Sequence, residues 1–171
     1  MNEGPASLHA RIDRISEATG RAASWLTLLM VIVTFAIVVT RYVFDAGFVW
    51  LQEILTWMHA TVFMLGAAYT LQQDGHVRVD IFYREMTVKR RAWVNLLGAV
   101  LFIAPLCVFL AVEAYSYVSA AWRIHEVSRN AGGLPYPFVP LLKTVLILMP
   151  VAVFLQGLSM GLRAIAEIRG N

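Results

Sequence analysis

The sequence predicts an all-α integral membrane protein with four transmembrane helices and both termini in the cytoplasm. Three observations lead there. Hydrophobic residues make up 59% of the 171 and charged residues only 15%, against roughly 25% charged in a soluble domain, so the polar surface that a soluble chain of this size needs is missing. The apolar residues fall into four long blocks, and mean hydropathy is +0.66. Lys and Arg lie ten on one side of those blocks and four on the other, the asymmetry that sets orientation in a bilayer.

Each element follows from its residues. Residues 1–21 read as a cytoplasmic tail carrying Arg11, Arg14 and Arg21. Within it, Leu8, Ile12 and Ile15 have helical spacing with Arg11 and Arg14 off that face, which fits a short interfacial helix as well as a frayed tail. Residues 22–40 are 19 without a formal charge; the run is too long and starts too late for a cleaved signal peptide and reads as a retained anchor. Residues 54–71 are 18 with His59 as their one ionisable group. A basic loop with Arg78, Arg84, Lys89, Arg90 and Arg91 returns the chain to residues 92–112, 21 without charge. This third helix is expected to overrun the membrane, because few breakers occur before Trp122. Asn130 to Gly133, with Pro135, Pro137 and Pro140, then form an outer turn. Residues 144–162 are 19 without charge, followed by Arg163 and Arg169. A hydrocarbon core of about 30 Å takes roughly 20 helical residues, so each block fits one crossing, and four segments are too few to close a membrane barrel. Trp25, Trp50, Trp93 and Trp122 fall near the membrane boundaries, where tryptophan belongs, and Trp57 lies one turn deeper. The whole chain reads as one membrane domain, with membrane lipid as its surroundings. The net charge of +3 is a topology and lipid signal, not a nucleic-acid footprint.

Candidate chemistry is sparse. The one cysteine, Cys107, lies mid-span and can form no intramolecular disulfide. His59 is a candidate haem ligand or proton relay, as intramembrane ionisable groups are, or a neutral side chain bonded to a neighbouring helix; His9, His76 and His125 lie outside the spans. Asn95 and Gln156 suit inter-helix hydrogen bonds, and Gly66, Gly157 and Gly161 suit close helix packing. Arg41, Glu53, Glu113 and Lys143 lie near the outer membrane boundary, two of each sign, and are expected to pair as Arg41 with Glu53 and Glu113 with Lys143, or to meet another subunit. No nucleotide loop, metal cluster or nucleophilic triad is recognisable, so neither an enzyme nor a resident cofactor is expected.

Several of these residues carry a resemblance. Arg41-Tyr42-Val43-Phe44, Trp50-Leu51-Gln52-Glu53, Gly66-Ala67-Ala68 and Asp74-Gly75-His76-Val77-Arg78-Val79-Asp80 together resemble the small membrane subunit of tripartite ATP-independent periplasmic (TRAP) transporters, the DctQ-like family. In that family's pattern an acidic pair precedes the second span and a G-H-x-x-x-D loop follows it. Here Gln52 replaces the first acid, so Glu53 alone carries over, and Gly75, His76 and Asp80 match the loop. The runs Ser128 to Pro135, Pro140 to Lys143 and Leu155 to Gly157 are similar to the branch associated with organic, keto and aromatic acids. The resemblance implies an accessory scaffold in the bacterial inner membrane. Its partners would be a large multi-span subunit, which carries substrate and sodium by an elevator motion, and a periplasmic substrate-binding protein. Two other readings stand beside it: a membrane anchor of a redox enzyme, with His59 as a haem ligand, and a small self-assembling transporter.

Overall fold

The computed structural model describes residues 8–75, 83 and 85–170. Among these the chain forms four long helices: α1 (Leu8–Tyr42), α2 (Val49–Gln72), α3 (Val88–Arg123) and α4 (Phe138–Arg169). Even the shortest, α2 with 24 residues, reaches about 36 Å at 1.5 Å per residue, enough to cross a bilayer core. Leu28, Val31, Ile32 and Phe35 on α1 and Leu101, Phe102 and Phe109 on α3 all face outward. Such an apolar exterior belongs against lipid or another membrane subunit.

The helix α4 is the centre of the bundle. It packs against the other three, α1 and α2 pack on each other, and α3 rests chiefly on α4. Its sequence makes this feasible. Gly157, Ser159, Gly161 and Ala164 are all buried, and small side chains let helices approach closely without a hydrophobic driving force between them. A Cβ added at Gly157 would lie 2.8 Å from Ile103 Cγ2 of α3, whereas one at Gly161 would meet Leu96 at an ordinary 3.8 Å. Gly66 differs from both. Nothing lies within 4 Å of a Cβ added there, because Gly66 lines an open cleft between α1 and α2. The tight α1–α2 approach is made instead by Gly20, which lies under the Tyr69 ring.

The chain from Leu8 to Thr19 is not a separate surface helix. It runs unbroken into the first apolar block as the start of α1, and it buries Ile12, Ser16 and Gly20. Leu8 and Ile15, which suggested an amphipathic face, are 58% and 62% exposed. The buried stripe is spaced by four residues and includes a serine and a glycine, so a search for apolar periodicity alone misplaces it.

In α3 a π-turn spans Ala99–Ile103, between α-helical Val88–Gly98 and Ala104–Arg123. Pro105 follows directly. Proline lacks the N–H that a carbonyl four residues earlier would need, and its ring presses on that carbonyl; a wider turn relieves both. At its C-terminal end α2 stops where Asp74 turns left-handed (φ 56°) and Gly75 N–H bonds back to Thr70 O at 2.9 Å, a Schellman-type end. His76 and Asp80, the rest of the motif loop, lie outside the described residues, as does Arg84.

Candidate functional site

Two polar clusters, one toward each end of the bundle, hold the helices to one another. The first joins α1, α2 and α4 around Asp13. Oδ1 of Asp13 accepts from Gln156 Nε2 at 3.0 Å and from Ser159 Oγ at 2.9 Å, and Oδ2 accepts from the Arg163 guanidinium. Ser16 Oγ donates to Gln156 Oε1 at 2.8 Å, and Gln72 Nε2 donates to the Asp13 carbonyl at 3.0 Å. Gln156 and Ser159 are 2% and 0% exposed. Buried polar groups of this kind are tolerated when bonded, and across membrane helices such bonds are worth about 0.6–2 kcal/mol each. The α4 side chains, Gln156, Ser159 and Arg163, repeat at three and four residues and so form one polar stripe. That spacing was visible in the sequence; its partner Asp13 was not singled out there.

The second cluster surrounds Glu53 at the start of α2. Its Oε1 accepts from Ser128 Oγ and, at 2.8 Å, from Asn130 Nδ2; its Oε2 accepts from the Leu134 N–H at 2.7 Å. All three donors belong to the connection between α3 and α4. That connection is closed on itself by Ser128 N–H to Leu134 O at 3.1 Å and Gly133 N–H to Asn130 O at 3.0 Å. At Gly133 a side chain would enter the space held by Ser128 Oγ and the carboxylate, with Glu53 Oε1 only 2.7 Å from an added Cβ. One carboxylate thus fastens the α3–α4 loop onto the start of α2.

This arrangement corrects the expected pairs. Glu53 turns to the α3–α4 loop rather than to Arg41, and Arg41 is exposed with no ion pair among the described residues. Lys143 does not meet Glu113. Its Nζ pairs with Glu126 at 2.6 Å and lies 3.9 Å from the centre of the Tyr117 ring, while Glu113 is exposed. Reasoning from helix ends overlooked the loop, which folds back and supplies Glu126, Ser128 and Asn130. Beside it Trp122 Nε1 donates to Thr144 Oγ1 at 3.0 Å, and Trp57 Nε1 donates to the Phe138 carbonyl at 3.1 Å. These bonds tie the start of α2 and the end of α3 to the start of α4.

His59 is exposed on α2. Cys107 is buried at the α3–α4 contact. Among the described residues no three His, Cys, Asp or Glu side chains gather as a metal site would require. Both clusters described above fasten helices to one another.

No curated protein sequence matches the chain. The family described as "Tripartite ATP-independent periplasmic transporters, DctQ component" matches residues 30–169, a range that takes in the C-terminal part of α1 and all of α2, α3 and α4 with the Glu53 cluster between them. With four membrane-spanning helices and a match over most of its length, the chain belongs to the DctQ family, the small inner-membrane component of tripartite ATP-independent periplasmic transporters.

Proposed function

We propose that the chain is the static accessory subunit of a sodium-coupled, binding-protein-dependent secondary transporter for organic acids. It enlarges the scaffold against which a large multi-span subunit moves substrate and sodium. The observation that carries this reading is the use of the inter-helix polar groups. Asp13, Ser16, Gln156, Ser159 and Arg163, and at the other end Glu53, Ser128 and Asn130, bond to one another and fix four helices in place. A translocation site gathers ionisable groups and broken helices near the midplane, whereas here the fastenings lie toward the ends. A rigid bundle with an apolar exterior suits a scaffold. The organic-acid class rests on the resemblance of the Ser128 to Pro135 run; sodium coupling belongs to the large subunit, and the periplasmic binding protein approaches from the Glu53 side. Belonging to a transporter component family points away from an enzyme.

The test is purification in mild detergent followed by reconstitution. The large subunit is expected to come through affinity purification with this chain, and vesicles holding both are expected to take up substrate once the binding protein is added. Vesicles holding this chain alone are expected to take up none; sodium-dependent uptake by the chain alone overturns the accessory reading.

Orientation is tested separately. Ten of fourteen basic residues on the side of the termini support a cytoplasmic position for both. In a Cys107→Ala background, Arg84→Cys is expected to resist an impermeant thiol reagent applied from the periplasm, and Arg129→Cys is expected to react. The opposite pattern inverts the topology.

A further inference from the structure

We propose that the groove between α3 and α4 is a seat for one acyl chain of an anionic phospholipid, with the lipid phosphate held between Lys89 and Arg169. The groove has a volume of about 200 Å³ and is lined on α3 by residues from Leu96 to Ala104 and on α4 by residues from Phe154 to Ile165. Two features of the sequence open it. The π-turn Ala99–Ile103 widens α3 at that level, and π-turns inside α-helices recur at functional sites. Opposite it, Gly161 leaves α4 without a side chain, while Ile103 packs over Gly157.

Its length argues for a lipid chain rather than a partner helix. The lining runs for about 12 Å along α3 and about 17 Å along α4 at 1.5 Å per residue. That is about half of a 30 Å hydrocarbon core, the depth of one leaflet. Phe154 borders its inner end and separates it from a smaller groove beside Cys107. A helix of another subunit that crosses the bilayer would run on past the ends of this groove.

Charge argues for an anionic headgroup. Lys89 lies seven residues before Leu96, and Arg169 lies seven after Leu162; two helical turns bring each back to within about 20° of the groove. Both are exposed, and neither is in an ion pair among the described residues. Trp93, 48% exposed and one turn from Lys89, occupies the headgroup boundary where its ring is favoured. Glu167 points to a different cleft, beside Arg163 and Gln72. The mouth of the groove is thus basic, at the level where a phosphate sits when its acyl chain descends toward Phe154.

The experiment is native mass spectrometry of the full chain released from detergent after incubation with equal amounts of phosphatidylglycerol and phosphatidylcholine. Phosphatidylglycerol is expected to be retained in preference, on the order of tenfold for two basic residues. Lys89→Gln/Arg169→Gln, at two exposed positions, is expected to fold normally and bring the two lipids to parity. Gly161→Leu fills the groove and is expected to reduce retention of both, with circular dichroism reporting helix content; Ala104→Leu fills it from α3 should the glycine variant fail to fold. Equal retention by the unaltered chain, or an unchanged preference in the double variant, overturns the proposal. So does a Gly161→Leu chain that keeps its lipid but no longer co-purifies with the large subunit, which would make the groove a helix seat. The lipid measurement needs no partner, so its failure is distinguishable from failure of the transporter reading.

Discussion

Asp13→Ala is expected to lower the stability of the bundle by about 2–4 kcal/mol, the largest loss from a single polar side chain on this side of the protein. Removing one member of a buried charged network costs roughly 3–5 kcal/mol when the partner charge is stranded. Here part of that is relieved, because the Arg163 side chain is 46% exposed and can turn to water. Gln156 and Ser159 have no such escape at 2% and 0% exposure, and each unsatisfied buried group costs about 1–3 kcal/mol. The ranking of variants follows. Asp13→Asn keeps one acceptor oxygen and is expected to lose about half as much. Arg163→Gln breaks only the part-exposed ion pair and is expected to cost about 0–1 kcal/mol. Thermal unfolding of the three variants in one mild detergent checks the order. If Arg163→Gln proves as damaging as Asp13→Ala, the ion pair and not the buried amide and hydroxyl holds α1 to α4.

The membrane helices were legible because the bilayer imposes length and apolarity on uninterrupted residues, and the blocks at 22–40, 54–71, 92–112 and 144–162 lie inside the four helices observed. What escaped is what depends on tertiary partners. Asp13 reads as one more charge in a polar tail, since nothing local in Arg11 to Ser16 announces its contact with Gln156, 143 residues away. Its counterpart on α4 was legible in principle, as a polar stripe in an otherwise apolar helix. The charges at Arg41, Glu53, Glu113 and Lys143 are legible but their partners are not: opposite signs at adjacent helix ends suggest Arg41 with Glu53, while a carboxylate equally accepts from neutral hydroxyl, amide and backbone donors. The Ser128-x-Asn130-x-x-Gly133 turn that offers those donors reads as a breaker and as part of the family resemblance, not as a set of donors for Glu53. Gly66 illustrates the converse, a small residue in a span that borders open space in this chain.

Glu53→Ala is expected to release the α3–α4 connection from α2 and to cost about 2–3 kcal/mol. Three donors lose a charged acceptor, a bond class worth about 1.5–3 kcal/mol each in the buried limit. The total falls below their sum because Asn130 is exposed and Ser128 can rotate to water; the Leu134 N–H, part-buried at 2.7 Å from Oε2, is the group least able to recover. Glu53→Gln keeps one carbonyl oxygen but places an amide donor among donors, so an intermediate loss is expected. Gly133→Ala is expected to resemble Glu53→Ala, because its Cβ takes the space of the carboxylate and the Ser128 hydroxyl. The charge-swapped Arg41→Glu/Glu53→Arg chain separates this explanation from simple ion pairing. An arginine at 53 would aim N–H groups at the hydroxyl, amide and backbone N–H that need an acceptor, so the swap is expected to rescue nothing. Melting temperature in detergent, proteolysis within residues 124–137 and the yield of large subunit co-purified with each variant are the measurements. A complex that still assembles is expected to keep its substrate preference, since the loop fastens the scaffold and does not select the solute. Restoration of stability by the swap would return Arg41 as the partner of Glu53, and a Glu53→Ala chain that melts, resists protease and assembles like the unaltered one would reduce the carboxylate to a solvated helix end.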